Sequence, residues 1–564
     1  MVSFDLRLWR RFRTIAAPYW FRDQKWQARG LLLLLVVLLL GQTGFAVLFN
    51  ELTTSSLAAK DADRFWKSIF QCLGILVVAV PIYAFYYYVR DKLGLFWRRW
   101  LTQDYLGRYF SNRAYYELNA DPDIDNPDQR IAEDINTFTQ RSLYFLLITV
   151  GAILQLLAFS GVLWSISKAL VFFLIIYAVA GTAITLLVFG KVLIGLNFYQ
   201  LRREADFRFS LVRIRENAEA IAFYRGEAQE SWQIGQYFNA AFANFNKLIR
   251  AQLNLNLFQY SYSFMTIILP YSIIAGQVLA GDLEVGRAIQ AAGAFAAILS
   301  ALTVIVDNFE SFSRFAAGID RLDSFAKFLA KKDRRPQGSG QHVKLVQNSH
   351  LEIKNLTLQT PNHTRTLIEG LSMTINPGQG VMIVGASGCG KSSLLRALAG
   401  LWRSGSGEIC RPEAGEMLFL PQRPYMLLSS LRSQLLYPQL DMKISDEALQ
   451  ELLVRVNLPK LAARFGGLAA ELEWAKVLSV GEQQRVAFAR VLLAAPRYVI
   501  LDEATSALDI ANEESLYKEL AASETTMVSV GHRPSILKYH PQVLELTGDG
   551  GWKLYAAGDY QFSH

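Results

Sequence analysis

A chain of 564 residues is too long for one ordinary compact core and fits two to four domains. With 52% hydrophobic and only 19% charged residues, it is neither a disordered chain nor a dedicated nucleic-acid binder, even at a formal charge of +8. Cys72, Cys389 and Cys410 lie too far apart for a disulfide framework or a zinc ribbon, and the six histidines are equally scattered, which argues against a protein metal site.

The basic residues flank apolar runs instead of forming one face, which is a membrane pattern. In residues 1–29, Leu8, Trp9, Phe12 and Ile15 recur at helical spacing among arginines, which predicts an amphipathic cytoplasmic segment lying in the membrane interface. The apolar run that follows is too long for a cleavable signal, so the segment is expected to stay on the chain. Residues 30–330 are expected to form a transmembrane domain of about six helices, because a bilayer core needs about 20 apolar residues per crossing. The uncharged runs are Gly30–Leu48, Phe70–Val89, Leu143–Trp164, Leu170–Gly190, Leu257–Leu279 and Ile289–Val306, with only a short turn, Ser165–Ala169, between the third and fourth. Arginines and lysines precede the first run, follow the second and lie between the fourth and fifth, so both termini are expected on the cytoplasmic side.

The connections Arg90–Arg141 and Lys191–Gln252 are rich in helix formers, which predicts that the spanning helices continue into the cytoplasm as long legs. Asn126 followed by Pro127 signals the start of a short transverse helix in the first leg. In the second leg, the acidic and aromatic segment Glu216–Glu227 suits a helix that contacts another domain. Residues 331–344 read as a charged, then Gly/Ser/Pro-containing linker. From 345 to 564, short apolar strands alternate with helical patterns, the mark of an α/β domain on a parallel sheet.

The chemistry sits in this last domain. Val381–Leu401 is a strand, a glycine turn and a helix start that match G-x-x-x-x-G-K-S completely. Gly385, Ala386, Ser387, Gly388, Cys389, Gly390, Lys391, Ser392 and Ser393 are therefore expected to surround the phosphates, with Lys391 on the β and γ phosphates and Ser392 on Mg2+. The apolar strand Tyr498–Leu501 carries Asp502, a candidate for holding Mg2+, and Glu503, a candidate for polarising the attacking water. His532, after the strand around Val528–Val530, is expected to contact the γ phosphate. Gln422 is expected to sense the γ phosphate or Mg2+ and report to the legs.

These motifs, with Leu478–Arg485 (LSVGEQQR), resemble the ATP-binding cassette family over the whole carboxyl-terminal domain. The resemblance implies ATP and Mg2+ as cofactors and a signature segment that completes the ATP site on another subunit's phosphate loop. Ser479 and Gly481 match the signature, whereas Val480 and Glu482 depart from its common LSGGQ form. Asp509 matches the loop linking the two sites. No Phe, Tyr or Trp lies between Leu351 and Gly385, so the usual adenine-stacking aromatic is missing, leaving Pro361 or His363 as poorer platforms. Pro18–Trp20, Asn126–Ile131 and Glu216–Glu227 resemble subfamily D transporters, whose members handle acyl-CoA, cobalamin or peptides. The implied protein is a multidomain membrane protein with an all-α six-helix transmembrane domain followed by an α/β P-loop ATPase. It is expected to work by alternating access as a homodimer with membrane lipid around it, in a bacterial inner membrane, on a small-molecule, peptide or acyl substrate and with no nucleic-acid partner. An ATP-gated channel, a lipid-remodelling regulator and a proton-driven transporter with an auxiliary ATPase are the alternatives. Import and export stay equally open.

Overall fold

The computed structural model describes residues 6–23, 25–58, 62–118, 124, 127–333 and 342–562. The chain divides into two compact units, 1–336 and 337–564. Within the first unit all described secondary structure is helical: α1 (Leu6–Pro18), α2 (Lys25–Ala58), α3 (Ala62–Phe110), α4 (Ile135–Ile166), α5 (Lys168–Ile184), α6 (Lys191–Glu216), α7 (Ala218–Tyr224), α8 (Glu227–Leu279), α9 (Val285–Asp307) and α10 (Phe309–Asp333), with shorter helical turns between some of them.

Six of the described helical segments are long and apolar enough to cross a membrane, and each contains or overlaps one of the six uncharged runs. Their surfaces are inverted relative to a soluble protein. Val77, Ile176 and Leu187 are 74%, 70% and 79% exposed, which is stable only where lipid replaces water. The 49 residues of α3 and the 53 of α8 extend, at 1.5 Å per residue, to about 74 and 80 Å. That is more than twice a hydrocarbon core of about 30 Å, so both helices run on well past the bilayer as legs.

Local chemistry sets the breaks. Between α4 and α5 only Ser167 leaves the helix, and its hydroxyl caps α5 by accepting from the Leu170 amide at 3.4 Å. After α5 the chain widens into a π-helical turn, Thr185–Gly190. Helix α7 ends at Arg225, which takes a left-handed conformation with φ 53° ahead of Gly226, and it leaves Phe223 and Tyr224 exposed. In the first leg Pro127–Gln129 is helical, while Asn126 lies outside the described residues, as do 334–341 of the linker.

Side-chain pairs tie helices that are distant in sequence. Tyr177 on α5 and Tyr262 on α8 stack at 4.2 Å, and each hydroxyl donates to the other residue's carbonyl, at 2.8 and 2.9 Å. Gly181 makes this possible, since a Cβ there would lie 2.5 Å from the Tyr262 ring. Helix α1 has one face against protein: Ile15 and Ala16 are buried, Phe12 packs on Phe138, and Arg11 pairs with Asp320 at 2.5 Å and Asp323 at 3.5 Å on α10. The amphipathic segment is therefore docked on the helices beside it through its apolar side and Arg11, with Trp9 outward.

The second unit is built on two sheets. The larger has the order β10 (Trp552–Ala556), β9 (Gln542–Leu546), β4 (Val381–Gly385), β8 (Thr526–Val530), β7 (Tyr498–Asp502), β6 (Met417–Leu420), all parallel except β10. Strands β4, β7 and β8 are covered on both faces and hence almost continuously apolar. The smaller sheet, β1 (Lys344–Gln347), β5 (Gly405–Arg411), β2 (Leu351–Gln359), β3 (Thr366–Ile375), is antiparallel except where β1 meets β5. Gly405 lets β5 approach β2: with φ +138°, a Cβ there would lie 1.9 Å from the Thr357 carbonyl oxygen. The parallel order brings the carboxyl ends of β4, β6, β7 and β8 to one edge, the usual location of a ligand crevice in such sheets.

Candidate functional site at the edge of the parallel sheet

The phosphate loop joins β4 to α11 (Lys391–Leu398). Gly385, Gly388 and Gly390 all have positive φ, at 143°, 79° and 110°, which turns successive backbone amides toward one centre. Gly385 is also sterically fixed, since a Cβ there would lie 2.4 Å from the Leu546 carbonyl oxygen. Cys389 is buried against this turn, close to Gly385. Lys391 is buried and folds back over the loop, its Nζ donating to the carbonyls of Gly385 at 2.7 Å and Ala386 at 2.9 Å.

The register between β7 and β8 pairs Asp502 with Val530, and the Glu503 amide continues it by donating to the Val530 carbonyl at 3.2 Å. This puts the residues after both strands side by side. The Ser392 hydroxyl donates to Asp502 Oδ1 at 3.4 Å. Burial raises the Asp502 pKa against the opposing pull of the Ser392 hydroxyl; a cation there would draw the carboxyl back to its ionised form. Glu503 sits in a left-handed conformation with φ 48°. Its Oε2 accepts from Gln422 Nε2 at 3.0 Å, and its Oε1 lies 3.6 Å from His532 Nε2. Lys391 and Ser392, Asp502, Glu503, Gln422 and His532 thus meet from four strand ends. Ser392 bonded to Asp502, and Gln422 bonded to the adjacent Glu503, offer the few hard oxygen donors that Mg2+ takes when it keeps most of its water shell.

The signature opens α13 (Val480–Ala494). Ser479 caps it, and Glu482 completes a reciprocal capping box. Gly481 fits against the loop after Glu503, where a Cβ would lie 3.0 Å from the Ala507 carbonyl oxygen. Asp509 caps α14 (Ile510–Ala522), accepting from the Asn512 amide at 2.7 Å. Among the described residues, no hydrogen bond or ion pair joins Ser479, Gly481 or Asp509 to the phosphate loop. Two residues not singled out in the sequence reading organise this region. Gln484 donates to the Gln422 carbonyl and to Ser506 and accepts from the Ala507 amide. Arg533 donates to the carbonyls of Leu508 and Ser506. Gln484 stands inside the signature string and Arg533 directly after His532, so adjacency was the available signal.

Residues 18–279 match the family model described as ABC transporter transmembrane region 2, and residues 368–506 match that of the ABC transporter. An uncharacterized ABC transporter ATP-binding protein of Synechocystis is 46% identical, covering 94% of this chain and 82% of its own. The chloroplastic ABC transporter D family member 2 of Arabidopsis thaliana is 39% identical over 96% of this chain and 86% of its own. The chain belongs to the ABC transporter family. It sits with D family half-transporters, among which the human lysosomal cobalamin transporter ABCD4 is 31% identical, covering 88% of each chain. This ABC transporter is thus a membrane protein that binds ATP and couples its hydrolysis to transport.

Proposed function

We propose that two copies of this chain form a symmetric transporter whose two ATP sites each combine the phosphate loop of one copy with the signature of the other. The observation that carries this reading is the separation within one chain: one phosphate loop with its Asp502–Glu503 pair, and one signature that, among the described residues, has no bond to that loop. Two composite sites then need two chains. In each site Gly385–Ser393 cradle the phosphates, and Lys391 exchanges its contacts to the Gly385 and Ala386 carbonyls for the β and γ phosphates. Ser392, Asp502 and Gln422 hold Mg2+, which supplies charge neutralisation on the phosphates when bound. Glu503, held by Gln422, orients the attacking water and accepts its proton, and His532 steadies the γ phosphate. Ser479 and Gly481 close the site from the second copy, and Asp509 links one site to the other. Closure of the ATPase units moves the helical legs and turns the cavity from one side of the membrane to the other.

The proposed domains are 1–29 as a cytoplasmic amphipathic segment, 30–330 as the transmembrane domain with its legs, 331–344 as linker and 345–564 as ATPase, with both termini cytoplasmic; the helix ending at Asp333 and the strand starting at Lys344 each reach a little into the linker. The substrate is amphipathic or hydrophilic, in the class of cobalamin, peptides or long-chain acyl compounds; the cobalamin transporter relative supports the first. The inner membrane ABC transporter ATP-binding protein YddA of Escherichia coli, 26% identical over 95% of this chain, supports a bacterial inner membrane.

Complementation tests the composite site. Lys391→Ala removes the loop lysine and Ser479→Arg blocks the signature, so neither variant alone has a complete site. Co-expressed, they form a mixed dimer with one site made only of native halves. ATP turnover recovered in purified mixed dimers, from near zero in either parent, is the expected result; no recovery sinks the reading.

A further inference from the structure

The first turn of α13 contains a carboxylate at the place where the composite site would receive a phosphate. Glu482 Oε2 accepts from the Ser479 amide at 2.9 Å, and the Glu482 amide donates to Ser479 Oγ at 3.2 Å. A carboxylate in this position offsets the positive end of the helix and repels any second anion brought to the same turn. A neutral glutamine, as in the common signature, would make the same capping contacts without that penalty.

Glu482 is not left alone. Arg464, the last residue of α12 (Leu461–Arg464), places Nη1 2.7 Å from Glu482 Oε1, and its guanidinium lies over the Phe465 ring at 4.5 Å from the centroid. The Glu482 side chain is 14% exposed and that of Arg464 48%, so the carboxylate end of the pair is shielded while the guanidinium reaches solvent. Burial works to raise the Glu482 pKa, but Arg464 and the Ser479 amide outweigh it and hold the carboxyl below the usual range. The carboxyl therefore carries its negative charge at neutral pH, and Arg464 is the cation that pairs with it.

We propose that Arg464 is a positioning residue of the composite site: by neutralising Glu482 it restores the start of α13 as a surface that accepts the γ phosphate held on the second copy's loop. This rests on the composite-site reading. Removing the arginine exposes the phosphate to an uncancelled carboxylate, whereas removing the carboxylate leaves a surplus cation near the phosphate. The two changes should oppose one another.

The test uses the full-length chain in lipid vesicles and the ATP dependence of turnover. Arg464→Ala is expected to raise KM about tenfold with kcat within about twofold, the size of one unpaired charge at a helix start. Glu482→Gln should lower KM about threefold, and the double variant should return near the native value. Arg464→Lys, which keeps the charge, should stay within about threefold of native and covers the case in which the alanine variant does not fold. An unchanged KM in Arg464→Ala, or the same raised KM in the single and double variants, overturns the proposal and reduces Arg464 to packing over Phe465. Run beside the complementation pair, the outcomes separate: mixed dimers that recover while the KM order fails remove only the role of Arg464, and mixed dimers that do not recover remove the composite site itself.

Discussion

In the proposed mechanism Glu503 activates the attacking water, and its surroundings specify how it would fail. Its carboxylate is one-third exposed, oriented by Gln422 on one oxygen and flanked by His532 on the other. Glu503→Gln keeps the shape and the contact to Gln422 but cannot accept a proton. Turnover is expected to fall by about 10²–10⁴-fold, while nucleotide binding, set by the loop amides and Lys391, stays near native. Equilibrium binding of a labelled ATP analogue beside steady-state turnover checks both halves; a variant that still turns over at native rate removes Glu503 from the mechanism. The left-handed backbone at Glu503 is part of the same device, because it turns the side chain out of the strand line toward Gln422 and His532.

At the scale of elements, the strand that precedes His532 and the turn that follows it enclose a second histidine with a different physical character. His540 is 2% exposed, with Nδ1 2.9 Å from the Ile536 carbonyl and Nε2 2.8 Å from Ser529 Oγ on β8. Burial pushes its pKa down to about 4, against a smaller raising effect of the Ile536 carbonyl. In the unfolded chain the imidazole titrates near 6.5. Between those values the unfolded state binds the proton and the folded state does not, so stability is full above about pH 6.5 and is lost as pH falls toward 4. The loss is on the order of 3 kcal/mol. His540→Gln removes this proton uptake, and the unfolding midpoint of the ATPase unit between pH 7 and 4 should fall less steeply than in the native chain. Parallel profiles would contradict it.

The same scale shows what the sequence could reveal. The phosphate loop, the strand ending in Asp502 and the six apolar helices were legible because each is a local pattern: spaced glycines before Lys391, a short apolar run ending in two acids, about 20 uncharged positions. The mainly antiparallel sheet was not, since β1 is exposed at every position and β5 depends on Gly405 and Gly407 meeting β2 about fifty residues away. The organising roles of Gln484 and Arg533 left only adjacency to a motif as a signal, because a side chain bonding to carbonyls such as those of Gln422 and Leu508 leaves no periodic trace. Arg11 read as one arginine among several until Asp320 and Asp323 appeared beside it.

For the whole molecule, the source of energy can be argued from what the membrane helices contain. A proton-driven transporter needs titratable groups within the bilayer, since an intramembrane carboxylate or imidazole is costly to retain without such a role. The six uncharged runs contain no Asp, Glu or His. The spans instead present apolar side chains outward and tyrosines such as Tyr177 and Tyr262, bonded to each other's backbone, inward. With ATP hydrolysis coupled to transport in this family, cargo movement is expected to follow the state of Glu503 and not the proton gradient. In vesicles loaded with ATP on the appropriate side, a panel of cobalamin, short peptides and acyl-CoA first identifies the compound that stimulates turnover. Its accumulation is expected to persist with a protonophore and to vanish in Glu503→Gln. Accumulation abolished by the protonophore yet retained in the variant would show that the membrane helices draw on a gradient through groups other than carboxylates and imidazoles, and the ATPase would be auxiliary to them.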